Sequence, residues 1–158
     1  MVRRDCHEFS EGYDEGNVVT TGSNDELILA ARLLLTTLFL IFGWRKLTDY
    51  SGTVSQMVHE EGLRMPVLAT VVSIFMELPV AFAVAVGAFT RPAAAFMALY
   101  SLGTALIAHH YWTVKPADYV DSMEGFYKDL SIMGGFLLLC VTGAGGYSFD
   151  ALLGIAAP

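Results

Sequence analysis

An all-α integral membrane protein, folded as a bundle of four transmembrane helices, is the fold class this sequence predicts, and three observations predict it. Apolar stretches recur at about 27–43, 66–86, 92–112 and 126–142, each close to the roughly 20 residues that cross a bilayer as a helix. The chain is 54% hydrophobic and 16% charged with a mean hydropathy of +0.52, whereas soluble domains carry roughly a quarter charged residues. Ionisable residues inside or against the stretches are few, and Arg32, Glu77, His109 and Lys128 stand out among them. Charge at membrane depth is costly, so these positions are the first candidates for function.

The division expected is an acidic, flexible tail over 1–24 and a membrane domain over 25–158. The tail is polar, rich in glycine and without apolar periodicity, and it holds much of the acid behind the net charge of −7. Nucleic acid is thereby excluded as a partner. Arg3 and Arg4 lead into Asp5, Cys6, His7 and Glu8 rather than into an apolar run, so the tail does not read as a secretory signal. Cys6 and Cys140 are too far apart for a CxxC pair, and no cluster of ligands suggests a metal.

Asn24 or Asp25 is expected to cap the first helix, which should end at Gly43 with Trp44 at the interface. A polar connection, 48–64, leads to Pro66 in the first turn of the second helix. Thr90, Arg91 and Pro92 are read as a tight turn that makes the second and third helices antiparallel. Ala94, Ala98, Ser101, Ala105 and Ala108 repeat at helical spacing and make the third span a packing spine, closed by Tyr111 and Trp112. The fourth span begins near Phe126, with Gly134 and Gly135 as contact points. Beyond it, Ser148 caps a short helix too brief to cross a membrane.

The 1.5 Å rise per helical residue sorts the ionisable groups by depth. Arg32 lies inside one end, near Arg91 and Asp150, and a structural ion pair between Arg32 and Asp150 is expected there. Lys46, His109, His110, Lys128 and Asp129 gather towards the other end. Glu77 alone is near mid-depth, where a carboxylate is either protonated or held by a cation or donor. Plain alternatives exist for each. Lys46 and Lys128 can snorkel, His109 or His110 can make an interfacial hydrogen bond, and Glu77 can bond between helices in its protonated form.

Arg32, Gly43, Lys46 and Leu47, followed by Glu77 and then Gly87, Thr90 and Arg91, resemble the DoxX family of small bacterial membrane proteins. His109, Trp112, Phe126 and Lys128, with Gly143, Gly145, Ser148 and Asp150, resemble its closing pattern. The likeness runs from about 27 to 152 and leaves the acidic tail outside. Pro79, close behind Glu77, is a further departure. The resemblance implies a four-helix bundle in the bacterial cytoplasmic (inner) membrane, related in pattern to the DoxD-like subunit of thiosulfate:quinone oxidoreductase and linked to quinone or thiol redox metabolism.

The leading expectation is a membrane subunit of a quinone-linked redox system. Glu77, His109 and Lys128 would serve as catalytic groups, and with Lys46 they would bind the quinone inside the bundle. Glu77 and His109 suit proton relay, and a lysine suits stabilisation of a negative oxygen. No haem, cluster or dinucleotide motif is present, so a protein partner would supply the electrons. The alternative is a non-catalytic anchor or assembly subunit held in the bilayer beside a protein partner or a second copy. A transporter ranks below both, because four spans without inverted repeats make a poor alternating-access device. Basic residues at 45, 46, 64, 115 and 128 face chiefly Arg91 across the membrane, which predicts both termini outside.

Overall fold

The computed structural model describes residues 17–59 and 64–154, all of them helix, turn or connection. The helices are α1 (Asn17–Thr48), α2 (Tyr50–His59), α3 (Pro66–Phe75), a π turn (Met76–Val80) running on into α4 (Ala81–Val86), α5 (Thr90–Ala108), α6 (Tyr119–Thr142) and α7 (Phe149–Leu152). Four spans are long and apolar enough to cross a membrane: Asn24–Thr48, Pro66–Val86, Thr90–Ala108 and Tyr119–Thr142. The four-helix membrane bundle expected from hydropathy is the fold.

Several boundaries differ from the sequence expectation. The first helix begins at Asn17, so 17–24 is helix rather than tail and neither Asn24 nor Asp25 caps it. It also runs through Gly43 to Thr48, because no proline interrupts it and one glycine costs a helix only about 1 kcal/mol. The turn after the second span lies at 87–89, and Thr90, Arg91 and Pro92 already belong to α5. The third span closes at Ala108, before Tyr111 and Trp112, and the fourth starts at Tyr119. The tail over 1–16 lies outside the described residues.

The polar connection contains an unforeseen helix, α2. Asp49 starts it: its Oδ1 accepts from the Gly52 amide at 3.1 Å, a side-chain cap one turn in. Met57 is buried against α3, where the Thr70 hydroxyl meets its sulfur at 3.2 Å.

In lipid, helices associate by close packing rather than by a hydrophobic drive, which favours small residues at contacts. The spine of α5 behaves this way: Ala94, Ala98, Ser101 and Ala105 are buried, and α5 and α6 form the most extensive helix pair. The core joins Phe39, Val84, Met97, Phe136 and Leu139 from four spans. Gly135 lies against Leu35, while Gly134 faces open space. Along α1 the buried positions are Arg32, Thr36, Phe39 and Gly43, a spacing of four and three that gives one inward face. Lys46 continues that face.

Candidate functional site

Glu77 owes its position to a local fault in its helix. Pro79 has no amide to donate, and the chain accommodates it in the π turn, where the Ala81 amide reaches back to Met76 O. Such bulges redirect side chains from the regular helical course. Glu77 is consequently buried between helices, at 4% exposure. Opposite it stands Gly43, where a Cβ would come within 2.8 Å of Glu77 Cβ and 2.9 Å of Leu78 Cγ. Only glycine allows α1 this close. Lys46, nearly one turn further on, then reaches Glu77 and forms an ion pair with Oε1.

Tyr100 of α5 also donates to Glu77 Oε1, at 2.6 Å. The second carboxylate oxygen, Oε2, is buried without a hydrogen-bond partner among the described residues. A carboxylate at this depth is therefore held by one cation and one hydroxyl, with an acceptor left over. Leaving a buried acceptor unpaired costs about 1–3 kcal/mol, so Oε2 is an open acceptor on the cavity wall.

Glu77 lines a cavity of about 970 Å³ shared by α1, α2, α3, α5 and α6, and Lys46, Tyr100, His109, Lys128 and Asp129 line it too. The sequence candidates Lys46, Glu77, His109 and Lys128 thus come together around one space. His109 ends α5 and packs on Gly125, where a Cβ would clash with its ring at 2.5 Å. Its Nε2 is 3.9 Å from Asp129 Oδ2, and Asp129 Oδ2 accepts from the Thr104 hydroxyl at 3.0 Å. His110 turns away and pairs with Ile107 O at 2.7 Å. Lys128 is exposed at the mouth.

A family model described as DoxX matches residues 27–110, the stretch that carries Lys46, Glu77, Tyr100 and His109. The chain belongs to the DoxX family. Among curated proteins, the DoxX chain is 43% identical over 124 residues to Inner membrane protein YphA of Escherichia coli (strain K12), covering 78% of this chain and 88% of that protein. It is 40% identical over 126 residues to Inner membrane protein YqjF of the same organism, covering 80% and 91%. No solved structure matches it. With four apolar spans and inner-membrane relatives, this DoxX protein is a multi-pass protein of the inner membrane.

A second polar cluster holds the opposite end of the DoxX bundle. Arg32 is fully buried; its Nη1 donates to Ala144 O at 2.6 Å and its Nη2 to Tyr147 O at 2.5 Å. Asp150 accepts from the Phe89 amide at 2.7 Å and the Thr90 amide at 2.9 Å. Arg32 and Asp150 reach the same end, yet the expected ion pair does not form among the described contacts. Each takes backbone groups instead, because the loop after α6 places its carbonyls, and the turn before α5 its amides, nearer than the opposite charge. Burial alone would raise the Asp150 pKa; the Thr90 and Phe89 amides, aided by the Arg32 charge, prevail and hold it below the usual carboxylate range. This cluster is a structural clasp, separate from the cavity.

Sequence reasoning misses Tyr100, Thr104 and α2. Tyr100 reads as an apolar-spine neighbour until Glu77 is known to face it. Asp129 falls at the correct end without a role, and its bond to Thr104 ties it to α5.

Proposed function

We propose that this protein is the quinone-binding membrane subunit of a redox system, with the cavity around Glu77 receiving the head group and a partner protein supplying the electrons. The observation that carries the reading is the buried Glu77 carboxylate, held by Lys46 and Tyr100 with one oxygen unpartnered, on the wall of a cavity at membrane depth. A quinone head group is a flat, uncharged ring with carbonyl oxygens, and it becomes a donor when reduced. The residues fit both forms: the Lys46 ammonium has N–H donors beyond its bond to Glu77 and can donate to a carbonyl, and Glu77 Oε2 accepts from a hydroxyl. Phe39, Leu38 and Val72 on the same wall supply apolar contact for the ring.

Quinone chemistry exchanges two electrons and two protons. The chain's residues serve the protons: Glu77 at depth and His109 towards the water are placed to hold and pass them. The partner, carrying a redox cofactor of its own, would dock at the membrane surface.

The test is mass spectrometry of the protein purified in mild detergent. Co-purification of quinone near one per chain with wild type, reduced about tenfold in Glu77→Gln at unchanged yield, is the expected result. Absence of quinone from wild type, together with failure of added quinone to bind, overturns the reading and leaves an anchor subunit in its place.

A further inference from the structure

Tyr100 and Thr104 stand four residues apart on α5, about 6 Å along the helix axis. Each holds a carboxylate from a different helix. Tyr100 donates to Glu77 on the π turn at 2.6 Å, and Thr104 donates to Asp129 on α6 at 3.0 Å. Each carboxylate also has a basic neighbour, Lys46 beside Glu77 and His109 beside Asp129. Hydroxyl, carboxylate and base are therefore assembled twice, one helical turn apart, on the wall of one cavity.

We propose that the cavity is a two-ended site for a ring with oxygens at opposite corners, in which Asp129, set by Thr104, forms the second end with His109. The inference rests on the quinone reading and adds which ring geometry the site selects. Tyr100 and Thr104, which hold the two carboxylates, are spaced by about one helix pitch of ~5.4 Å, the scale of a six-membered ring with para oxygens, and in the proposed site one oxygen goes to the Glu77 end and the other to the Asp129 end. The separation of 3.9 Å between His109 Nε2 and Asp129 Oδ2 exceeds hydrogen-bond reach. Both groups are thus available to a ligand oxygen, whereas a purely structural pair would have closed on itself.

Charge supports an uncharged occupant. Arg45, Lys46 and Lys128 on the cavity wall are matched by Asp49, Glu77 and Asp129, so a neutral ring enters without stranding a charge. Each end also offers an acceptor and a donor. A para-diol donates one hydroxyl to each carboxylate, and the corresponding dione accepts from the Lys46 ammonium at one end and from a ring N–H of His109 at the other. The dione becomes the diol by taking up two protons, one delivered at each end, and two electrons, which the partner's redox cofactor supplies.

The experiment titrates three tailless rings, hydroquinone, catechol and phenol, into the full-length protein in detergent under reducing conditions, with calorimetry as readout. Hydroquinone should bind about tenfold tighter than catechol or phenol, since only it makes a charge-assisted bond at both ends. Asp129→Asn, which keeps an acceptor for Thr104, should bring hydroquinone to within about threefold of phenol and leave phenol unchanged. Glu77→Gln should weaken all three rings. Equal binding of hydroquinone and phenol by wild type, or equal weakening of both by Asp129→Asn, overturns this inference and leaves the quinone reading standing. Failure of every ring to bind overturns both.

Discussion

At the scale of single residues, buried polar groups decide what this bundle tolerates. Glu77→Gln keeps the shape and an acceptor for Tyr100, so assembly should persist, while Glu77→Leu strands the Lys46 ammonium and the Tyr100 hydroxyl. Both variants give up the charge, but leucine also leaves two donors without an acceptor at about 1–3 kcal/mol each, so Glu77→Leu should melt well below Glu77→Gln in the same detergent. Gly87 is a second sensitive position: it has φ +76° in the left-handed region, and a Cβ there would collide with Arg32 Nη1. Backbone strain of about 1–2 kcal/mol adds to displacement of a buried guanidinium, so Gly87→Ala should lower the melting temperature sharply without a direct effect at the cavity. Asp150 provides a pH signature. Its folded pKa lies below the ordinary value of 3.8, so its stabilisation is complete at neutral pH and is lost as pH falls through the folded pKa. Asp150→Asn should therefore cost about 1–3 kcal/mol at pH 7, and its gap from wild type should shrink below about pH 4. A gap that stays constant into acid would show that the charge on Asp150 contributes nothing.

At the scale of elements, the π turn is the least regular piece of the bundle and the one closest to the cavity. Pro79 removes a donor that a regular helix would use, so Pro79→Ala allows the second span to wind continuously from Pro66 to Val86. Rewinding by one residue rotates one half of the span against the other and shifts the register around Glu77 by about 100° of helical turn. On the proposed quinone reading, the expected outcome is a protein of equal or greater thermal stability that retains less quinone. Unchanged retention would show that the bulge is dispensable for positioning Glu77. The spans themselves are legible in the sequence, because lipid demands about 20 apolar residues in a row and leaves few alternatives. The depth of Glu77, and its meeting with His109 and Lys128 around one space, also follow from the cost of charge in lipid. The π turn is not legible: Pro79 signals a bend, but whether the chain kinks or inserts a residue depends on what packs against it, here Gly43. Nor is α2, since ten residues with an internal glycine carry weak helical pattern, and Asp49 is recognisable as a cap only once the helix behind it is known. Tyr100 escapes for a different reason, because a hydroxyl in an apolar span acquires meaning only from its partner on another helix.

At the scale of the whole molecule, the two polar clusters lie at opposite ends of the bundle, and their orientation in the membrane sets which side a partner meets. The end bearing the cavity carries Arg45 and Lys46 on α1, Arg64 before α3, Lys115 in the connection to α6, and Lys128. Among the described residues, Arg91 is the basic residue at the other end, Arg32 being buried in the clasp. Lys46 is spent on Glu77 and counts little towards topology, yet the remaining bias still favours the cavity end, because short loops with excess lysine and arginine stay on the cytoplasmic side. With an even number of spans this bias predicts both chain ends outside and the cavity opening towards the cytoplasm, where the proposed electron-donating partner would dock. A phosphatase that is active only outside the cytoplasm, fused after Pro158, should therefore be active, and the same enzyme inserted in the connection after α5 should be silent. The opposite pattern would invert the protein, put the Arg32 clasp on the cytoplasmic side, and require the partner of the cavity to approach from outside.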